Sequence, residues 1–268
     1  MKMMSNKIVL FDMDGTLTEP REKFSDPNLN TFLYYLTNRG IQIGIVTGSD
    51  LRYLNEQMGN WLNKSTCRYK THLLPCNGTK YLKPPSFATE SHKLKHDVSM
   101  LEHLGEHKYR KLIKEIIDLQ LEVSDEDIPL SGRFIDYRGS MINWCPIGRE
   151  ASRQQRQQFI EIDSNLQIRE RVLKRLRKQI EWMQLEDEVT VKLGGDTSFD
   201  IYPTGWDKTY ALKHFPDYDV WFVGDRCEPN GNDYELYLHC GDQGFKSTGP
   251  EETCKVIDII LSNIGGSK

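Results

Sequence analysis

Short apolar runs separated by polar, helix-compatible stretches dominate the first third of the chain. Residues 7–11 (Lys-Ile-Val-Leu-Phe) are apolar with two β-branched members, the pattern of a strand buried on both faces. Residues 41–46 repeat the pattern, and Leu73-Leu74 ahead of Pro75-Cys76-Asn77-Gly78 predicts a shorter third strand. Between them, Asp26-Pro27 reads as an N-cap followed by proline at the first helical position. The helix that it starts covers 29–38 and stops at Gly40, and a second helix runs through Met58. Strand and helix in alternation predict right-handed crossovers and a parallel sheet, with ligands at the carboxyl ends of the strands. The loops that hold Asp12 and Thr47 then share one rim.

Near Lys83-Pro84-Pro85 the rhythm changes. A polar, histidine-rich stretch predicted as helical runs to about Leu121, and residues 124–129 make an acidic connector. Periodicity two follows: residues 133–137 and 141–144 flank Arg138-Gly139-Ser140, the signature of a β-hairpin. A charged helical region spans 152–184 with an interruption near Asp163-Ser164-Asn165, and 189–193 with 199–202 form a second strand pair around Gly194-Gly195. From Thr204 the opening pattern resumes, with a helix at 208–214, a strand at 220–223 ending in Gly224-Asp225, a helix at 233–239 and a closing helix at 250–263. The expected architecture is an α/β core of residues 1–84 and 204–268, interrupted by an inserted α+β domain of residues 85–203. An insertion of this kind predicts a cleft between core and insert.

With 268 residues, 38% of them hydrophobic, the chain can bury such a core. The longest aliphatic run near an end, residues 256–261, is too short to span a bilayer, and residues 1–7 hold no apolar stretch of the signal-peptide kind. No membrane association is expected, and the cytoplasm is the expected compartment. Six cysteines without paired spacing suit reduced thiols, and a net charge of −4 gives no reason to expect nucleic acid as a partner.

Chemistry concentrates where the first strand stops. Side chains alternate along extended backbone, so Asp12 and Asp14 project to one side, and Gly15 lets the chain turn with its N–H groups facing what the acids hold. Two close carboxylates need a Mg²⁺, a phosphate or a proton between them; the plain alternative is an Asp-Gly turn with solvated acids. Phosphoryl transfer asks for a nucleophile, a metal, a cation on the equatorial oxygens and a small donor. Asp225 is a hard ligand that completes a Mg²⁺ site with the Asp12 carboxylate and the Asp14 carbonyl, and Asn232 and Asp233 hold that loop or bind through water. Lys208 is the candidate phosphate cation, and Thr47 or Ser49 the hydroxyl donor. In the insert, Arg149, Arg153 and Arg156 have the spacing of one helix face, with Arg138 in the hairpin. Forked guanidinium groups suit phosphate, although a solvated basic face has the same spacing. His92 with His96, and His103 with His107, have i,i+4 spacing and read as an exposed polar helix rather than a metal site. Trp182, Trp206 and Trp221 read as core.

Asp12-Met13-Asp14-Gly15-Thr16-Leu17-Thr18 after an apolar strand resembles the first motif of the haloacid dehalogenase superfamily of phosphotransferases. Thr47-Gly48-Ser49, Lys208 and Gly224-Asp225 with Asn232-Asp233 fall in the order of its other motifs. This likeness makes Asp12 the nucleophile and Asp14 the general acid/base, and it implies a Rossmann-like core with an inserted cap. Within the superfamily, several segments together resemble the eukaryotic-type phosphomannomutases: Arg138-Gly139-Ser140-Met141, Asn143-x-x-Pro146-Ile147-Gly148-Arg149, Ser198-Phe199-Asp200-Ile201-Tyr202-Pro203, Gly205-Trp206-Asp207-Lys208 and Gly231-Asn232-Asp233-x-Glu235. That resemblance implies sugar-phosphate binding by Arg21, Arg138, Arg149, Arg156, Ser198 and Asp200, and a homodimer formed through the cap. It further implies Mg²⁺ as cofactor, a hexose 1,6-bisphosphate as activator, hexose phosphate as substrate and a place in mannose metabolism leading to GDP-mannose.

The expected reaction is interconversion of mannose 6-phosphate and mannose 1-phosphate. A sugar-phosphate phosphatase on the same scaffold is the alternative, and a non-catalytic binding relative a further one. Departures from the family pattern bear on sugar choice and on the balance of mutase and phosphatase. Cys76 stands where Glu is usual, Asp196-Thr197 where Gln-Ile is usual, Arg226 where Lys follows the metal Asp, and Thr47 where Gly is common. Residues 86–130 show little likeness to the family.

Overall fold

Alternation of side chains along the first strand decides how the larger part of the molecule is layered. The structure is a computed structural model that describes residues 6–265; residues 1–5, on which the reading of a missing leader rests, lie outside the described residues. The chain divides into two compact units, one of Met1–Asp97 and Trp206–Lys268, the other of Val98–Gly205. In chain order the first unit opens with β1 (Asn6–Phe11), α1 (Pro27–Asn38), β2 (Gln42–Val46), α2 (Leu51–Lys64), β3 (Thr71–Leu74), β4 (Lys80–Lys83) and β5 (Lys93–Asp97). The second unit holds α3 (Met100–Leu104), α4 (Glu106–Val123), β6 (Ile135–Tyr137), β7 (Ile142–Trp144), α5 (Arg153–Leu166), α6 (Ile168–Trp182), β8 (Val189–Gly194) and β9 (Ser198–Pro203). Then β10 (Tyr218–Gly224), α7 (Tyr234–Cys240), β11 (Gly244–Lys246) and α8 (Pro250–Gly265) return to the first.

The first unit's sheet has seven strands in the order β11-β10-β1-β2-β3-β4-β5, parallel from β11 to β3 and antiparallel beyond. Val9 and Phe11 enter one apolar layer with Leu29, Leu33, Leu54, Met58, Ile257 and Ile260; Ile8 and Leu10 enter the other with Ala211, Phe215, Phe222 and Leu236. Because both faces are covered, the strand reads as an unbroken apolar run, and a one-residue slip would exchange its two layers. Register then fixes the rim: Phe11 lies opposite Val223 on one side and Ile45 on the other, and Ile45 opposite Leu73. Three strands thus end within one residue of level, just before Asp12, Asp225 and Thr47. Among the described residues no helix is long and apolar enough to cross a membrane.

The expected start of the insert is corrected by β5. Residues 93–97 pair antiparallel with β4, and Lys80 Nζ meets Asp97 Oδ2 at 3.0 Å, so the second unit begins at Val98 rather than at residue 85. The reason is that Lys93-Leu94-Lys95-His96-Asp97 forms a charged edge strand, whose polarity resembles that of a solvated helix face. Neither histidine pair shares a helix face. His92 precedes β5 and His96 lies in it, while Gly105 at φ +76° separates His103 in α3 from His107 in α4.

The second unit has an antiparallel sheet in the order β6-β7-β9-β8. Trp144, Phe199 and Leu193 face one another across three strands, as do Ile142, Ile201 and Val191, and these rows belong to the apolar cluster that includes Ile116 of α4, Phe159 of α5 and Leu176 of α6. The intervening row is polar: Asp136, Asn143, Asp200 and Lys192 are successive cross-strand partners on the opposite face. The helical region breaks at Gln167, which is left-handed at φ +53°, a few residues beyond the expected interruption. Trp206 and Trp221 are buried, but Trp182, the last residue of α6, is 71% exposed, so the expectation that it is core is corrected.

His72 in β3 supplies a pH test of the first unit. Its Nδ1 lies 2.8 Å from the Tyr81 hydroxyl and its Nε2 bonds Gln42 Oε1. Burial, with Lys83, His92 and His214 nearby, pushes its pKa down to about 3. The unfolded chain takes up this proton near pH 6.5, so stability falls as pH drops from about 6.5 toward 3, by about 1.4 kcal/mol per pH unit where only the unfolded state is protonated. In urea denaturation between pH 7 and 4.5, His72→Gln is expected to flatten the stability profile by up to one proton; an unchanged slope would refute the assignment.

Candidate active site

A single buried ammonium collects carboxylates from two distant loops. Lys208 Nζ donates to Asp12 Oδ1 and, at 2.5 Å, to Asp233 Oδ1. One carboxylate oxygen each from Asp12, Asp225 and Asp233 lie within 4.8 Å of one another. Local structure brings each group there. The Asp12 N–H donates to Val223 O at 2.9 Å, extending the β1–β10 ladder one residue past the strand. Asp207 caps the 3-10 turn Lys208–His214 by accepting from the Thr209 N–H at 2.8 Å, which sets Lys208 at its first position. Asp233 Oδ2 accepts from the Arg226 N–H at 3.0 Å and folds the loop after β10 back on itself. Gly15 has φ +82°, and a Cβ there would collide with the Asp225 carboxylate, so only glycine serves.

Burial, and the repulsion of Asp233 and Asp225, hold the Asp12 carboxyl well above the usual range even with Lys208 beside it. Burial and Asp233 likewise push Asp225 up to about 6. For Lys208 burial alone favours the neutral amine, but Asp12 and Asp233 reverse this and keep it charged. Three carboxylates against one ammonium leave the cluster short of positive charge; the Arg226 guanidinium, 40% exposed, approaches Asp225 only to 3.9 Å. Asn232 Oδ1 is buried with no hydrogen-bond partner among the described residues. An acidic, all-oxygen donor set with an orphaned amide oxygen beside it fits a hard divalent cation such as Mg²⁺.

The other expected core residues lie in the loops that follow β1 and β2. Asp14 is half-buried, and its Oδ1 accepts from the Arg21 N–H and from the Tyr53 hydroxyl, each at 2.9 Å. Arg21 itself is exposed with φ +65°. Thr47 is buried after β2, its Oγ1 accepting from the Ser49 N–H at 3.1 Å, while Cys76 N–H donates to Ser49 O and Asn77 N–H to Thr47 O. Cys76 is thus part of the loop's backbone brace and needs no acid to serve it.

The second unit carries a polar constellation of its own. Asn143 donates to Asp200 Oδ1 at 2.7 Å and Ser198 Oγ at 3.1 Å, and accepts from Arg149 Nη1 at 3.0 Å. Arg138 is paired with Asp136 at 3.3 Å. The expected helix face of Arg149, Arg153 and Arg156 is not formed, because Ser152 caps α5 with a capping box and leaves Arg149 in the preceding turn. Arg156 reaches back from the helix to Ala151 O at 3.1 Å, Arg149 O at 2.8 Å and Thr197 Oγ1 at 2.8 Å, so much of its guanidinium braces the turn that carries Arg149. Sequence reasoning missed three residues here: Tyr53, the role of Asn143 as hub, and Thr197. Tyr53 had one usable signal, its place in the first helical turn after the Thr-Gly-Ser-Asp loop.

Fold and site together define a chain of the haloacid dehalogenase type, with a Rossmann-like core and an inserted α+β domain. The fold is similar to that of the IMP-bound, N-terminally truncated IMP-nucleotidase of Plasmodium falciparum, with TM-score 0.61 and 15% identity over 96% of this chain and 68% of that one. Residues 29–263 match the eukaryotic phosphomannomutase family profile, and the chain belongs to that family. Its relatives include a phosphomannomutase of Drosophila melanogaster, 33% identical over 95% of each chain, and one of Arabidopsis thaliana, 37% identical over 93% of this chain and 96% of that one.

If Lys208 is the counter-charge of this cluster, Lys208→Met leaves buried acids uncompensated and is expected to cost about 3–5 kcal/mol of unfolding free energy in metal-free urea denaturation. A variant as stable as the parent would mean that the acids take up protons instead.

Proposed function

We propose that the chain is a phosphohexomutase interconverting mannose 6-phosphate and mannose 1-phosphate through Asp12. The Lys208 bridge carries this reading, since it holds a carboxylate nucleophile beside a cation that suits phosphoryl oxygens. A phosphorylated Asp12 passes its phosphoryl group to a sugar hydroxyl, giving a hexose 1,6-bisphosphate; the sugar reverses, and its other phosphate returns to Asp12. In each transfer the P–O bond to one oxygen breaks as that to the other forms. Asp14 gives a proton to the sugar oxygen that leaves and takes one from the hydroxyl that attacks. Mg²⁺, when bound by Asp12, Asp225, Asp233, Asn232 and the Asp14 carbonyl, supplies positive charge to the phosphoryl oxygens. Thr47 or Ser49 donates to a further oxygen, and hexose 1,6-bisphosphate acts as activator by priming Asp12.

The inserted unit Val98–Gly205 acts as the sugar-phosphate-binding cap. There Arg138, Arg149 and Arg156, with Ser198 and Asp200, bind the sugar phosphate, and Asn143 and Thr197 keep these groups in place; Arg21 is the core's own phosphate-binding residue. We place homodimer formation on the same unit, where Ile117, Leu121 and Trp182 are 52%, 72% and 71% exposed. Six free thiols support a reducing, cytoplasmic setting.

One kinetic panel tests the reading by following phosphate release and hexose phosphate interconversion, with and without a hexose 1,6-bisphosphate. Interconversion that the bisphosphate stimulates and Mg²⁺ chelation abolishes is the expected result. Steady phosphate release without isomerisation assigns the phosphatase, and no turnover on any phosphosugar assigns a binding relative. Asp12→Asn is expected to lower turnover by at least about 10³-fold, because an amide cannot form the acyl-phosphate.

A further inference from the structure

Asp14 is anchored through a single oxygen by donors from two separate stretches of chain. The Arg21 N–H and the Tyr53 hydroxyl both bond Oδ1, each at 2.9 Å. Among the described residues no group is bonded to Oδ2. With Oδ1 occupied, the carboxylate has one orientation about its Cβ–Cγ bond, and Oδ2 is the oxygen that exchanges a proton with substrate.

Tyr53 is placed for this task by its own helix. The Asp50 side chain caps α2 by accepting from the Tyr53 N–H at 2.8 Å, which fixes the third residue of the helix, and β2, which leads into α2, lies beside β1, which leads into Asp14. Tyr53 is half-buried and brings few rotatable bonds, so its hydroxyl is held rather than sampled. The companion donor is weaker support, because Arg21 is exposed and its left-handed backbone is strained for a non-glycine residue.

We propose that Tyr53 is a positioning residue that orients Asp14 for proton transfer, an assignment that rests on Asp14 being the general acid/base of the proposed reaction. When the Asp12 carboxylate attacks a hexose phosphate, the P–O bond breaks toward the sugar oxygen, which takes the proton from Asp14 Oδ2. An aryl phosphate such as 4-nitrophenyl phosphate undergoes the same attack, but its leaving group departs as a stable anion and needs no proton. The two substrates therefore separate loss of Asp14 orientation from general damage to the site.

The test compares Tyr53→Phe, which keeps the ring and removes the donor, with the parent enzyme in Mg²⁺. For 4-nitrophenyl phosphate, kcat/KM reports the steps up to nitrophenolate departure and is expected to stay within about 2-fold; for hexose phosphate, kcat is expected to fall by about 10-fold with KM unchanged. Retained aryl turnover also shows that the variant folds. Equal losses on both substrates, no loss on either, or a rise in KM alone would overturn the assignment. A parent enzyme that hydrolyses hexose phosphates without interconverting them refutes the mutase reading, while the same aryl-to-alkyl comparison still decides the role of Tyr53. A parent inert toward both substrates overturns both.

Discussion

Charge compensation inside the sheet's carboxyl rim is the constraint on which the first unit turns. Asp12, Asp225 and Asp233 approach one another closely enough that burial and the repulsion of neighbouring acids push the Asp12 and Asp225 carboxyls toward protonation, and the Lys208 ammonium, itself fully buried, opposes this. An ammonium in that position is stable only because carboxylates surround it, and the carboxylates are tolerable only because it is there. Neither half of the arrangement has an independent reason to exist. The shortfall of positive charge that remains is what makes this donor set fit a hard divalent cation.

Everything that presents these groups is ordinary secondary-structure chemistry placed with care. Nearly level strand ends put three loops at one rim, an Asx cap starts each of the turns carrying Lys208 and Tyr53, and Gly15 lets the Asp225 carboxylate approach the backbone. In the second unit a sheet with one apolar and one polar face does the equivalent work. Its helices cover the Trp144 and Phe199 side, and the opposite face carries the row through Asn143 and Asp200.

The parallel core was legible because its strands are buried on both faces and bounded by turn chemistry, so apolar runs, caps and crossovers all point to one topology. The positions of Asp12, Lys208 and Asp225 were legible for a similar reason, each sitting at the end or start of an element that the pattern locates. What escaped the sequence was anything set by an edge or by a tertiary hydrogen bond. The strand Lys93–Asp97 pairs at an exposed edge, so its composition is that of a solvated helix. Arg149 and Arg156 have helical spacing, yet a capping serine falls between them and converts a shared face into a brace. Tyr53 carries no motif at all; only the adjacency of β1 and β2 gives its hydroxyl a partner.

The pairing of β1 with β10 has a consequence for the order in which the molecule comes into being. Asn6 lies opposite Tyr218, and Asp12 meets a lysine 196 positions further along the chain. During synthesis at the ribosome the first strand emerges with an unmatched edge and with its acids still in water, and the second unit is complete before the missing strand appears. The cluster of acids around Lys208 is therefore among the last things to assemble. Until β10 arrives, the nascent chain holds a long apolar edge that other chains can pair with, so the interval between the two strands is the period of greatest exposure to aggregation and to chaperones.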